Sequence, residues 1–516
     1  MRIFKSITAK SGLVACSVLA GALMLASPGA QAGKKDDTLR FAYDQVPESV
    51  DPYFNNVRIG VIISQLTWDT LIFRDPKTNE YTGSLAKSWK WIDDKTIEFE
   101  LREGIKFHNG EAFDADDVVY TMNFVAKPEN KVVNQANVNW IAGAEKIDKY
   151  KVRLKLKRTF PAAIEYLAGP VVIHPNEYYE KVGPKGMNEH PVGTGPYKIV
   201  EHVPGKVVKF VANPDYPAAL GKSAPHIKNL EIRFLPDRQT QVAEVMAENL
   251  DLIMGVPVDQ ALGLKAVPTL SVQEGETMRI VFISFNTLDD TPLPALKDVN
   301  VRRAIAHAIP KAQMVKELVG EKARVINVMC FPTQFGCDDS KAPKYTYDPA
   351  KARAMLKEAG YVGDKKITVD LFAYRNRDQS EAMIGALRNI GITANLKFMQ
   401  YAAMRDQLRQ HKAAMAHQTW GSFSVNDVSA STPVYFKFLA DDINHDPEVR
   451  DLLEKGDSSV DPAVRKEAYA KALGLIQDRA LAVPLYSLTT HYVANGALKF
   501  ETYPDEIPRF WEMAWK

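Results

Sequence analysis

An α/β chain built from strand–helix–strand units is the fold class this sequence predicts, and three observations predict it. Strand and helix periods alternate throughout the region after residue 32. In the second half, strands are separated by helix-length segments, a spacing that requires parallel pairing through crossovers. The length, 516 residues, is too great for one core and implies two or three domains.

The N-terminus reads as an export signal. Arg2, Lys5 and Lys10 give a positive start, Leu13 to Ala26 is apolar, and Ala30-Gln31-Ala32 forms a small-x-small cleavage site. The apolar run holds fourteen residues, short of the roughly eighteen a membrane-spanning helix needs. Cleavage after Ala32 would give a soluble periplasmic protein. A rival reading takes Leu13-Val14-Ala15-Cys16 as a lipoprotein box anchoring the chain at Cys16. That box should follow the apolar region, and here it opens it, so the soluble form is expected.

Downstream, Ile97, Phe99 and Leu101, and then Val152, Leu154 and Leu156, alternate with polar residues as half-buried strands do. Asp114 is placed to cap a helix carrying Val118, Tyr120, Met122 and Phe124. Arg238 to Glu248 reads as a helix running into the strand Leu250 to Met254. Asp348-Pro349 opens a helix that Gly360 closes. The strand Ile367 to Phe372 follows, then a helix ended by Gly391, the strand Ile392 to Phe398, a helix over Tyr401 to His411, and the strand Ala414 to Trp420. Asp461-Pro462 starts a last long helix, and Val483 to Leu488 is its returning strand. Pro- and Gly-rich loops are expected at Gly183 to Gly195 and Pro214 to Pro225. A composition change near Phe285-Asn286-Thr287 suits a domain crossing.

Charge removes one class of function. Without the signal the chain carries 62 Lys+Arg against 63 Asp+Glu, whereas nucleic-acid and anionic-membrane binding both call for a basic excess. Cys330 and Cys337, with six residues between them, read as a disulfide in an oxidising compartment, the alternative being two free thiols. Catalytic signatures are missing from the sequence. It holds no His-Glu-x-x-His run, zinc-spaced cysteines, phosphate loop or Gly-x-Ser-x-Gly elbow. His411 and His417 fall where helix gives way to strand, and the scattered histidines suit surface or core roles better than ligation. Asp93-Asp94, Asp116-Asp117 and Asp441-Asp442 sit at turns or helix starts, where carboxylates serve as caps. No cofactor and no bound metal are expected.

Leu85-Ala86-Lys87-Ser88-Trp89, then Leu101-Arg102-Glu103-Gly104-Ile105-Lys106-Phe107-His108-Asn109-Gly110, then Phe113 to Tyr120 form one ordered series. Val192-Gly193-Thr194-Gly195-Pro196-Tyr197, Phe285-Asn286-Thr287, Val301 to Ile305 and Tyr347 to Tyr361 continue it. The series resembles the family 5 extracellular solute-binding proteins, the dipeptide-, oligopeptide- and nickel-binding group. The residues that carry the likeness also have scaffold readings of their own. Gly104 can take positive φ at a strand turn, and Asp114 with Asp117 can form a capping box.

The resemblance implies a two-lobed periplasmic-binding-protein fold of class II, in the large cluster with an extra subdomain. Lobe I would comprise 33–284 with 489–516, carrying an inserted subdomain at about 76–192, and lobe II would be 285–488. It implies a non-enzymatic, monomeric partner of a membrane ABC permease that closes on a small-molecule ligand, above all a short peptide. An opine, an oligosaccharide, or a metal chelate or haem is the alternative, and a secreted hydrolase the weaker one. By position in the family, Arg375 would grip a ligand carboxylate. Trp420, Ser422 and Asp427 would line the cleft, with Asp427 toward the α-ammonium, although the family's Asp-Pro pairs are missing from this loop. Asn55, Asn56 and Arg58 would line it from the first lobe, Asn56 alternatively capping a helix. Trp140 is a further aromatic candidate, alternatively a packed tryptophan.

Overall fold

The computed structural model describes residues 33–361 and 363–516. The segment read as an export signal, with Cys16, lies outside the described residues. Among the described residues no helix is long and apolar enough to cross a membrane.

Strand period and crossover spacing together build a ten-stranded mixed sheet. In one half, Thr38–Tyr43 pairs in parallel with Asn229–Phe234 and with Leu252–Val256. In the other, Thr368–Ala373 pairs in parallel with Thr393–Phe398 and Met415–Trp420. The intervening helices Arg377–Arg388 and Tyr401–Arg409 supply the crossovers that parallel pairing demands. Two long antiparallel strands, Leu270–Phe285 and Ala482–Asn495, join the halves. Residues 270–276 pair with 489–495, the register then shifts, and 280–284 pair with 482–487.

Each half has its own core, and the chain is two-lobed. Leu39, Phe41, Ile232 and Leu252 pack with Phe510 and Trp511 from the chain end. Val281, Ile283, Leu371, Met415 and Val483 pack together in the second lobe. A four-stranded antiparallel sheet, Ala86–Asp93, Thr96–Leu101, Lys151–Leu156 and Ile141–Asp148, carries a third core around Phe99, Val118, Trp140 and Leu154. Each large side chain fully buried there contributes about 1.5–3 kcal/mol of transfer free energy. The helix Ala115–Val125 on this sheet starts with the expected capping box. Asp114 accepts from the Asp116 amide and Asp117 accepts from the Asp114 amide, both at 2.8 Å. Gly193 and Gly195 pass so close to the end of the first-lobe helix that a Cβ at Gly193 would lie 2.0 Å from the Thr67 carbonyl oxygen. Only glycine permits that crossing.

Two expected boundaries move. The returning strand is not confined to 483–488 but runs over Ala482–Asn495, because Tyr492, Val493 and Ala494 find cores in the first lobe. The loop expected to begin at Gly183 starts inside a helix, Asn176–Glu189. Gly183 breaks that helix at φ 63°, and Pro184 restarts it at a position where its missing N–H costs nothing.

Candidate functional site

Where the two lobes face each other they form a partly open cavity of about 320 Å³, lined from both sides. The first lobe contributes Asn55, Asn56 and Arg58 just before and at the start of the helix Arg58–Thr67. Arg74 and Glu165 come from the subdomain side, and Asp505 and Arg509 from the tail of the chain. Opposite them stand Ser424 and Val425, while Arg279 enters from the register break in the long strand.

The loop after Trp420 reaches across and is held. The Arg58 guanidinium donates to Ser424 Oγ and, at 2.8 Å, to the Asp505 carbonyl, and Ser424 Oγ donates to the same carbonyl at 2.6 Å. The Asn426 amide donates to Glu165 Oε1 at 2.6 Å, and the Asn426 side-chain amide donates to Asn79 at 3.1 Å. Glu165 also accepts from Tyr81 at 2.7 Å and pairs with Arg74 at 3.2 Å. Burial pushes the Glu165 carboxyl above the usual range, and Arg74 opposes this without cancelling it. Burial acts the same way on Asp505, but there the Arg509 guanidinium prevails and holds the carboxyl low. Backbone strain marks the loop too, since Ser422 and Ser424 both have positive φ.

Of the eight candidates, Asn55, Asn56 and Arg58 line the cavity and the other five do not. Asn56 does not cap the helix, whose N-cap is Val57 without a side-chain bond. Its amide donates to Glu48 instead. Trp140 is fully buried in the subdomain core, stacked on Phe160 at 5.1 Å, with its indole N–H bonded to Asn137. Arg375 is exposed, its guanidinium over the Tyr374 ring. Trp420 packs edge-on against Tyr435 and donates to the Ala430 carbonyl at 3.1 Å. Ser422 is buried between Gln334 and the Val425 carbonyl. Asp427 points into the second lobe, where both its oxygens lie 2.9 Å from Arg465.

Ser424 and Val425, inside the stretch the sequence singled out, take the cavity positions expected for their neighbours. Sequence reasoning missed Arg74, Glu165, Arg279, Asp505 and Arg509. Arg279 carried a faint signal, a charge between Met278 and the apolar run Ile280 to Ile283.

The carboxylate pairs fill structural roles. Asp442 accepts three backbone amides, from Phe438, Asn444 and His445, and Asp441 is clamped by Arg405 and Arg409. His417 is buried against the Ser380 hydroxyl at 2.8 Å, and burial lowers its pKa to about 4.

Cys330 and Cys337 are bonded, and the loop they close props the cavity loop from behind. Gln334 donates to Ser422 Oγ and the Val425 carbonyl, and the Phe335 amide donates to the Asn426 carbonyl. Replacing both cysteines by alanine is therefore expected to cost about 2–3 kcal/mol. It should also speed amide exchange at Phe335. Unchanged exchange there would show that the loop stands without the bond.

The family model for bacterial extracellular solute-binding proteins, family 5, matches residues 80–439. A putative ABC transporter peptide-binding protein of Brucella ovis is 28% identical over 375 residues, 69% of this chain and 67% of that protein. Di/tripeptide-binding protein 2 of Pseudomonas aeruginosa is 26% identical over 425 residues, 77% of this chain and 78% of its own. The solved structure of HbpA2 from Haemophilus parasuis superposes with a TM-score of 0.80 at 22% identity, covering 93% of this chain and all of that one.

Proposed function

The chain belongs to the family 5 bacterial extracellular solute-binding proteins, and on that premise we propose that it captures a short peptide for an ABC importer in the periplasm. The observation that carries this reading is the cavity between the lobes, lined from both and bounded by bonds that cross from one lobe to the other. At about 320 Å³ it lies at the small end of ligand sites, roughly 300–1,000 Å³, which suits two or three residues rather than a long peptide. The di/tripeptide-binding relative supports the same size class.

Closure needs a hinge, and the two long strands supply it. We place the crossings at 277–279 and at about 488–489, where the ladder between the strands is interrupted. The first lies ahead of the expected boundary after 284, because Val281 and Ile283 already pack in the second lobe's core. A register break concentrates bending, since few ladder bonds must yield there. Ligand shifts the open–closed balance only through contacts made in the closed form. Arg58, Ser424 and Arg279 can make such contacts. Turnover is not expected, because Glu165 and Asp505, the carboxylates on the cavity wall, are both held in ion pairs.

Native mass spectrometry of the protein purified from its own periplasm, followed by thermal-shift screening against di- to pentapeptides, opines and oligosaccharides, tests the reading. A co-purified or stabilising peptide supports it, and stabilisation by sugars or opines alone removes the peptide. A mass beginning at Gly33 would establish cleavage after Ala32. Arg375→Ala should leave affinity for a carboxylate ligand within about twofold, given its exposure away from the cavity. A tenfold loss would return Arg375 to the site.

A further inference from the structure

The charges around the cavity are not balanced, and the imbalance is localised. Six charged side chains line it among the described residues: Arg58, Arg74, Arg279 and Arg509, against Glu165 and Asp505. Arg74 is matched by Glu165 and Arg509 by Asp505. Both carboxylates are saturated by these and other donors. Glu165 accepts from Tyr81 and the Asn426 amide, and Asp505 accepts from the Ile507 amide. Two guanidiniums remain, Arg58 and Arg279. They share one carboxylate, Glu506, at 3.4 and 3.7 Å. Both separations exceed the roughly 2.7–2.9 Å of a well-formed charge-assisted bond. The remaining partners of Arg58, Ser424 Oγ and the Asp505 carbonyl, are neutral.

Position makes the surplus useful. Arg58 belongs to the first lobe, and Arg279 lies at the break between the lobes. Gly421 of the cavity loop leaves room for the Arg279 guanidinium, since a Cβ there would stand 3.3 Å from its central carbon. A carboxylate gripped by both arginines would therefore tie the lobes together through the hinge. In contrast, among the described residues the wall carries no unmatched carboxylate to neutralise a ligand ammonium.

Resting on the peptide reading above, we propose that the cavity selects peptides of net negative charge, with one ligand carboxylate taking the place of Glu506 between Arg58 and Arg279. Acidic side chains or a masked N-terminus both satisfy this, as each leaves the carboxylates in excess.

The test is calorimetric titration of the whole protein with Ala-Ala-Ala, Ala-Glu-Ala, N-acetyl-Ala-Ala-Ala and Ala-Lys-Ala, and with tricarballylate as an anion that is not a peptide. The two anionic peptides should bind at least about tenfold tighter than the neutral one, with the preference shrinking as salt rises. Arg279→Gln should abolish the preference. Glu506→Gln, which removes the competing carboxylate and leaves both arginines in place, should strengthen anionic binding several-fold. Equal affinity across the charge series, or a preference surviving in Arg279→Gln with Glu506→Gln inert, overturns the proposal. Binding of tricarballylate without any peptide would remove the peptide reading and sustain the charge inference. Silence from every probe would remove both.

Discussion

Glu165→Ala is expected to weaken ligand binding about 5- to 150-fold and to destabilise the fold at the same time. Glu165 lies in the short helix Ala163–Tyr166 and is 4% exposed. Within the first lobe its carboxylate neutralises Arg74, whose side chain is itself only 12% exposed. Deleting one partner of a buried pair typically costs about 3–5 kcal/mol, because the other charge is stranded. The second cost arises only when the lobes close. The Asn426 amide then loses its acceptor at a buried position, and an orphaned donor costs about 1–3 kcal/mol. That second figure sets the expected loss of affinity. Glu165→Gln separates the two, since its carbonyl oxygen can still accept from Asn426 while Arg74 stays unpaired. It should recover much of the binding and little of the stability. Chemical denaturation and calorimetry on the same samples read both quantities. Glu165→Ala with undiminished affinity would mean that the 424–426 loop does not close on this carboxylate during capture.

The fold was legible because its signals are local. The capping box at Asp114 and Asp117 and the proline starts at Pro349 and Pro462 are decided within a few residues. So are the period-2 strands at 96–101 and 151–156. The site was legible only where the chain enters it directly, at Asn55, Asn56 and Arg58. Glu165 and Asn426 are 261 residues apart, and Arg58 and Asp505 are 447 apart. No periodicity joins such pairs, because the folding of both lobes and the tail decides their meeting. In the loop after Trp420, the facing residues depend on two positive-φ serines. They turn Ser424 and Val425 toward the cavity. Asp427 is turned the other way, to Arg465.

That reversal carries the second large effect. Asp427→Ala is expected to lower the melting temperature by about 10 °C while leaving the affinity of the folded protein within a few-fold of wild type. Arg465 is buried with its guanidinium over the Phe335 ring. Its neutral partners are the Gly456 carbonyl and the Tyr469 hydroxyl, and Asp427 supplies the charge that makes its burial tolerable. Without that carboxylate the loss is about 3–5 kcal/mol, and each kcal/mol moves the midpoint of a lobe this size by about 2–4 °C. An ammonium-binding aspartate would behave oppositely, because removing it would abolish binding with little change in melting. The double variant Asp427→Ala with Arg465→Met sharpens the contrast. Removing both charges deletes the stranded guanidinium and should regain most of the lost stability, as replacing buried ion pairs by apolar groups commonly does. A double variant as unstable as Asp427→Ala alone would mean that the loop depends on Asp427 through its bond to the Ser429 amide, rather than through the ion pair.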